Sequence, residues 1–328
     1  VLVACVATGT ASAASPPDGL DREIHRIAER AGAVVGVSVL HLETGLERAY
    51  QGELHFPMAS TYKVAIGACA LRRVDRGELE LDSLVPILPR QRSTSSILST
   101  YFPAPGLTVS LQNLLELMLT QSDNTATDVI LELLGGPPQV QACLREAGVD
   151  DMRVDRSTAQ ILRDYAGVSA PADPTRSFHE QFTQLLEQSR ATAWFLDGSG
   201  APYVAFERDP RDQATPRAMT RVLALLWQDR WLSPASGAVV RDILARSGEP
   251  VRLGRGLPAG TRIAHKTGTL SGTINDTGVI ELPEGHGRVV VTVYVKHARG
   301  PHERAEAAIG DIARAVYDHY VLQPAGRR

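Results

Sequence analysis

Three short stretches of this chain carry residue types that could do acyl transfer. Ser60-Thr61-Tyr62-Lys63 follows Phe56-Pro57-Met58-Ala59 and opens a predicted helix. A spacing of three puts Ser60 and Lys63 on one helical face, about one turn apart. An ammonium held near a hydroxyl and partly desolvated can shed its proton and act as a base. Backbone N–H groups and the dipole at a helix start favour negative charge, which suits a serine alkoxide or a nearby oxyanion. Alone, Ser-x-x-Lys is a common spacing and describes no more than a helix start.

The second stretch is Ser122-Asp123-Asn124, on a short connection between two predicted helices. Connections present side chains into clefts. A serine hydroxyl there could relay a proton to a leaving nitrogen, and an asparagine could hold a substrate amide by donor and acceptor at once. In isolation this is an ordinary polar helix cap. The third is His265-Lys266-Thr267-Gly268-Thr269, at a predicted strand edge. Edge N–H groups can take an extended acyl group by strand addition. Lys266 offers positive charge to a carboxylate, Thr267 and Thr269 offer hydroxyls, and Gly268 permits close backbone approach.

The elements that must position these residues follow from periodicity. Leu20, Ile24, Ile27 and Ala28 share one helical face, and Gly32 is a plausible stop. Residues 34–42 are β-branched and apolar, and Glu43-Thr44-Gly45 turns the chain into a second strand over 47–50. The other end mirrors this, with strands over 276–282 and 288–296 and a helix over 303–320. Between the ends the signals are mainly helical. Residues 60–74 precede Gly77, Thr108 reads as an N-cap for a helix burying Leu111, Leu114, Leu115 and Met118, and 124–134 stops at Gly135-Gly136. Pro216 opens another helix over 216–227. The stretch 155–212 is punctuated by Gly, Pro and Asp, with one helical piece over 178–189. The expected fold class is therefore α/β (α+β): an antiparallel sheet flanked by helices, built from both chain ends, beside an inserted all-helical lobe. The seam between the lobes is the natural cleft. By position, the α/β lobe takes 17–58 and 217–328, and the helical lobe takes 59–216, with an insertion at about 157–211.

Composition narrows the function. With 34 basic and 37 acidic residues the net charge is −3, which argues against nucleic acid as a partner. No His/Cys cluster has metal-ligand spacing, so neither a metal nor another cofactor is expected. Residues 1–16 read as a leader. Either they are the tail of a secretory signal cut after Ala13, or Leu2-Val3-Ala4-Cys5 is a lipoprotein box with Cys5 lipidated. Both place the domain outside the cytoplasm, secreted or periplasmic, and the second alone brings a membrane contact. Cys69 and Cys143 are read as two buried free thiols, although export permits a disulfide. A monomer is expected.

Taken in order, Ser-x-x-Lys, Ser-Asp-Asn and Lys-Thr-Gly resemble the signature set of class A β-lactamases and penicillin-binding proteins. The resemblance runs from about Leu20 to Leu322. Val154-Asp155-Arg156 and the stretch Asp209-Pro210-Arg211-Asp212 look like the start and end of the family's Ω-loop, and Asn275-Asp276-Thr277-Gly278 looks like the second strand of its active-site hairpin. It implies Ser60 as the acylated nucleophile, Lys63 as its proton partner and Ser122 as proton shuttle. Asn124 would meet an acylamino side chain, and Lys266 and Thr267 a substrate carboxylate. The N–H groups of Ser60 and Thr269, beside Gly268, would form the oxyanion hole. The substrate would be a small β-lactam.

The chain also departs from that pattern. Thr158 and Leu162 stand where the family has the glutamate and asparagine that prepare the water releasing the acyl-enzyme. Neither can act as a general base near neutral pH. Glu207 is the first candidate for a replacement acid, then Asp164 or Asp197. A supporting arginine on the neighbouring strand is also missing, with Thr277 at its expected place. Three functions stay open: a β-lactamase, a D-alanyl-D-alanine peptidase of penicillin-binding type, or a sensor that is acylated once and stalls.

Overall fold

The computed structural model describes residues 19–167, 173, 176–189, 201–247, 251–299 and 302–322. The leader assigned to residues 1–16, with Cys5, and the candidate acid Asp197 lie outside the described residues.

The chain enters through α1 (Gly19–Arg30) and a hairpin of β1 (Val34–His41) and β2 (Glu47–Tyr50). A short strand, β3 (Phe56–Pro57), and a 3-10 turn, Ala59–Tyr62, lead into α2 (Lys63–Asp75). Next come β4 (Leu84–Pro86), a 3-10 turn at Pro89–Gln91, α3 (Ile97–Tyr101) and β5 (Thr108–Ser110). Three helices follow: α4 (Leu111–Thr120), α5 (Asn124–Leu133) and α6 (Pro137–Glu146). The long connection carries α7 (Thr158–Tyr165), α8 (Phe178–Ser189) and α9 (Ala201–Arg208), and ends in β6 (Gln213–Ala214). After it come α10 (Pro216–Trp227), α11 (Pro234–Ala245) and the one-turn α12 (Leu253–Gly256). Strands β7 (Ile263–Leu270), β8 (Thr273–Glu281) and β9 (Arg288–Lys296) precede the closing helix α13 (Glu303–Leu322).

The main sheet has the order β2-β1-β9-β8-β7, antiparallel throughout, so the two chain ends build one sheet as the sequence pattern predicts. Its strands bury both faces. On β9, Val289, Val291, Val293 and Val295 pack with Ile24 and Ile27 of α1 and Ile309, Ile312 and Val316 of α13. The alternate residues Val290 and Tyr294 face Phe56, Met58 and the helices of the other core. This period of two fixes the register, because a one-residue slip would exchange the faces. β7 is an end strand of the sheet, and its free side meets the Ser60 turn.

Two local expectations need correction. Thr108 does not cap α4: it begins β5, and the Ser110 hydroxyl accepts the Asn113 N–H instead. Cys69 and Cys143 are not free thiols. They form a disulfide between α2 and α6, with Cα atoms 6.1 Å apart. The two helices turn their cysteine faces towards each other, a juxtaposition that a separation of 74 residues conceals.

Candidate active site

Ser60 lies in the 3-10 turn just before α2, and lines a cleft of about 290 Å³ between sheet and helices. Its turn is held from both sides. The Thr61 hydroxyl donates to Met58 O at 2.8 Å and meets Tyr294 Oη at 2.9 Å. The Asn275 amide on β8 donates to Pro57 O and Met58 O at 2.8 and 3.0 Å. β7 presses closely against this turn. A Cβ added at Gly268 would lie 2.7 Å from Met58 O and 3.0 Å from Ser60 N, so glycine is required there. Ser60, Thr267 and Thr269 thus line one cleft.

Lys63 is fully buried one turn along. Its Nζ donates to Ser122 O at 2.7 Å, Ser122 Oγ at 3.2 Å and Asn124 Oδ1 at 2.7 Å. Burial, joined by the positive charge of Lys266, pushes this ammonium well below the ordinary lysine range, against the pull of Asp128 and Asp123. Ser122 itself adopts a left-handed backbone, φ 56°, a strained state that recurs at functional sites. Asp123 anchors the connection rather than facing substrate. Its carboxylate caps α5 through Ala126 N and takes Ser96 Oγ and Leu98 N. The Asn124 amide donates to Thr94 O at 2.9 Å, which fixes its orientation beside Lys63.

On β7, Lys266 is buried, and desolvation brings its pKa down to about 8, with Asp276 opposing and Arg252 assisting. Beneath it, His265 Nδ1 lies 3.0 Å from Asp276 Oδ1, and its Nε2 lies 3.1 Å from Ser247 O. Burial works against the charged ring, but the Asp276 carboxylate outweighs it and raises the His265 pKa. Two acceptors on two ring nitrogens favour the imidazolium.

Sequence reasoning missed Arg252. This buried guanidinium donates to Gly268 O at 3.0 Å, Asn275 O at 2.7 Å and Thr269 Oγ1 at 2.7 Å. Because Thr269 Oγ1 accepts from Arg252, its own proton is free to point elsewhere. Thr277, where an arginine was expected, is buried at 2.7 Å from Thr292 Oγ1, and Arg252 brings a guanidinium to Thr269 Oγ1 from the segment before β7. Its left-handed φ of 49° lies in an irregular link, and gives no periodic signal in the sequence.

The opposite wall is different. Thr158, Ile161 and Leu162 of α7 and Phe206 of α9 line it. The connection is closed at its base by Arg156, whose Nε lies 2.5 Å from Asp212 Oδ2, with Asp212 Oδ1 taking the N–H groups of Asp155 and Arg156. Among the cleft-lining residues Asp212 is the lone carboxylate, and these bonds consume it. Of the expected replacement acids, Glu207 and Asp164 do not line the cleft. Glu207 is buried, with its oxygens taken by the Tyr203 hydroxyl, the His297 N–H at 3.0 Å and His297 Nδ1 at 2.6 Å. Asp164 pairs with Arg156 at 2.7 Å and Arg211 at 3.1 Å. Both carboxyls are already engaged, Glu207 by Tyr203 and His297 and Asp164 by Arg156 and Arg211.

A serine at a strained turn, with two buried lysines and a paired strand edge around one cleft, defines a serine hydrolase that works through an acyl-enzyme. Comparison with known proteins narrows this class. The family model described as the β-lactamase enzyme family matches residues 19–320, and the chain belongs to that family. The β-lactamase VEB-1 of Pseudomonas aeruginosa is 25% identical over 315 residues, covering 93% of this chain and 91% of the relative. The extended-spectrum β-lactamase PER-1 of the same organism is 28% identical over 318 residues, covering 91% and 86%. Among solved structures, an ancestral class A β-lactamase superposes with a TM-score of 0.73 at 32% identity, covering 92% of this chain and 99% of that one. The fold is the class A β-lactamase fold.

Proposed function

We propose that this enzyme hydrolyses β-lactam antibiotics through an ester on Ser60. The observation that carries the reading is the buried Lys63 ammonium, bonded to Ser122 Oγ and Asn124 Oδ1 one turn from Ser60. With its pKa depressed, Lys63 in the neutral form takes the Ser60 proton as Oγ attacks the lactam carbonyl. The Ser60 and Thr269 N–H groups face the developing oxyanion. Ser122 passes the proton to the ring nitrogen as the C–N bond breaks. Lys266, Thr267 and the Thr269 hydroxyl turned by Arg252 receive the substrate carboxylate, and Asn124 meets the acylamino group. The Cys69–Cys143 disulfide supports action outside the cytoplasm, where such bonds persist.

The test is a chromogenic cephalosporin read by absorbance and intact mass. Steady turnover is expected with the wild type, and Ser60→Ala should abolish both turnover and any covalent adduct. An adduct that survives this substitution removes Ser60 as nucleophile. A burst equal to the enzyme concentration that then stops would point to the single-acylation sensor.

A further inference from the structure

Turnover requires water to attack the ester, and among the described residues no free carboxylate lines the cleft. Thr158, at the first turn of α7, is the polar residue on that wall, and it lines the cleft with Ser60. Its hydroxyl lies 2.6 Å from Tyr62 Oη. Burial, joined by the charge of nearby Asp128 and opposed by the Thr158 bond, raises the Tyr62 pKa well above its ordinary value. Tyr62 therefore stays an O–H group. Behind Thr158 stands Asp128 of α5. Its Oδ1 takes the Thr158 N–H at 2.7 Å and its Oδ2 the Ala159 N–H at 3.0 Å, and the Thr158 side chain also favours the charged form of the same carboxylate. Desolvation raises the Asp128 pKa despite these bonds, which makes it a better proton acceptor than an ordinary aspartate. Asp128 also lines a second hollow, with Ser157, Gln160 and Arg163, on the far side of α7 from the Ser60 cleft.

We infer that Thr158 and Asp128 together replace the absent deacylating glutamate, Thr158 touching the water and Asp128 acting through it as a positioning and proton-accepting residue. The inference rests on the acyl-Ser60 reading above. Tyr62 donates to Thr158 Oγ1, and Thr158 donates to Asp128, so one lone pair of Thr158 Oγ1 is left to accept a water O–H. As the water oxygen bonds to the ester carbon, its proton passes to Thr158 Oγ1, and the Thr158 proton passes to Asp128. The carbonyl π pair moves onto the oxyanion. When the tetrahedral adduct collapses, the oxyanion pair re-forms the carbonyl, the C–Oγ bond to Ser60 breaks, and Oγ takes a proton through Lys63, which is neutral after acylation and picks that proton up from solvent. The product carboxylic acid leaves, and the proton on Asp128 exits through the second hollow.

The experiment resolves acylation from deacylation by stopped flow with the chromogenic cephalosporin and by quenched intact mass. Asp128→Asn should acylate within about threefold of wild type yet clear the adduct about 10²-fold more slowly, the size usual for lost proton transfer. Thr158→Val, which keeps both N–H bonds to Asp128, is the second variant should Asp128→Asn fold poorly, and should show the same split. Thr158→Ser, which restores the hydroxyl, should clear within about tenfold of wild type. Clearance at the wild-type rate in the Val variant, or an acylation loss equal to the deacylation loss, overturns the inference. So does a wild-type adduct that never clears, although acylation at Ser60 then stands. No Ser60 adduct in the wild type overturns the acyl-enzyme reading itself.

Discussion

The two walls of the cleft are built on opposite plans. On the Lys63 and Lys266 side, polar groups are buried and bonded to one another: Nζ to Ser122 and Asn124, Arg252 to Thr269, His265 to Asp276. On the α7 side, Ile161, Leu162 and Phe206 present hydrocarbon, and Thr158 is the polar exception among them. On the reading proposed above, one wall is equipped to make an ester and the other is spare in groups to break it. A low-dielectric wall strengthens the few charges that face it, so a single hydroxyl backed by a carboxylate can matter more there than in water.

This contrast can be broken in order of size. Lys63→Gln should cost about 10⁴-fold in the acylation rate, because it removes both proton acceptor and buried charge. Stopped-flow acylation checks it, and a loss below tenfold would move the base elsewhere. Arg156→Ala leaves the buried Asp212 unpaired, and should destabilise the fold by about 3–5 kcal/mol, read as a lowered denaturation midpoint. Reducing the disulfide, or Cys69→Ser, should cost about 2–4 kcal/mol in the same measurement and leave the acylation rate near wild type. The smallest effect sharpens the Lys266 side. With its pKa at about 8, Lys266 is charged below that pH and loses its proton as pH rises through it. For substrates with a carboxylate, kcat/KM should therefore fall above about pH 8, and Lys266→Arg should move that limb upward. A profile flat to pH 10 would detach Lys266 from carboxylate binding.

Much of this arrangement was legible beforehand. The sheet from both ends, the helix over Pro216–Trp227 and the strand over Glu47–Tyr50 follow from periodicity and stand where expected. The residues proposed for acylation were legible because each sits on a short, spaced motif. What stayed hidden depends on pairs brought together by packing. Cys69 and Cys143 meet across two helices, Arg252 reaches the sheet from an irregular link, and Glu207 turns towards His297. Asp128 offered one faint signal: it lies four residues after Asn124 on α5, so the two share a face.

The clamp between Arg156 and Asp212 has a consequence for how this protein can change over time. Its two partners are 56 residues apart in the chain yet joined at one point. The entropic cost of closing such a span rises only with the logarithm of its length, by about 0.6 kcal/mol for each doubling. Once the ends are pinned, growth or trimming between them is nearly neutral for stability. Selection is then free to remodel one rim of the binding site by insertion and deletion while the acylating half stays as it is.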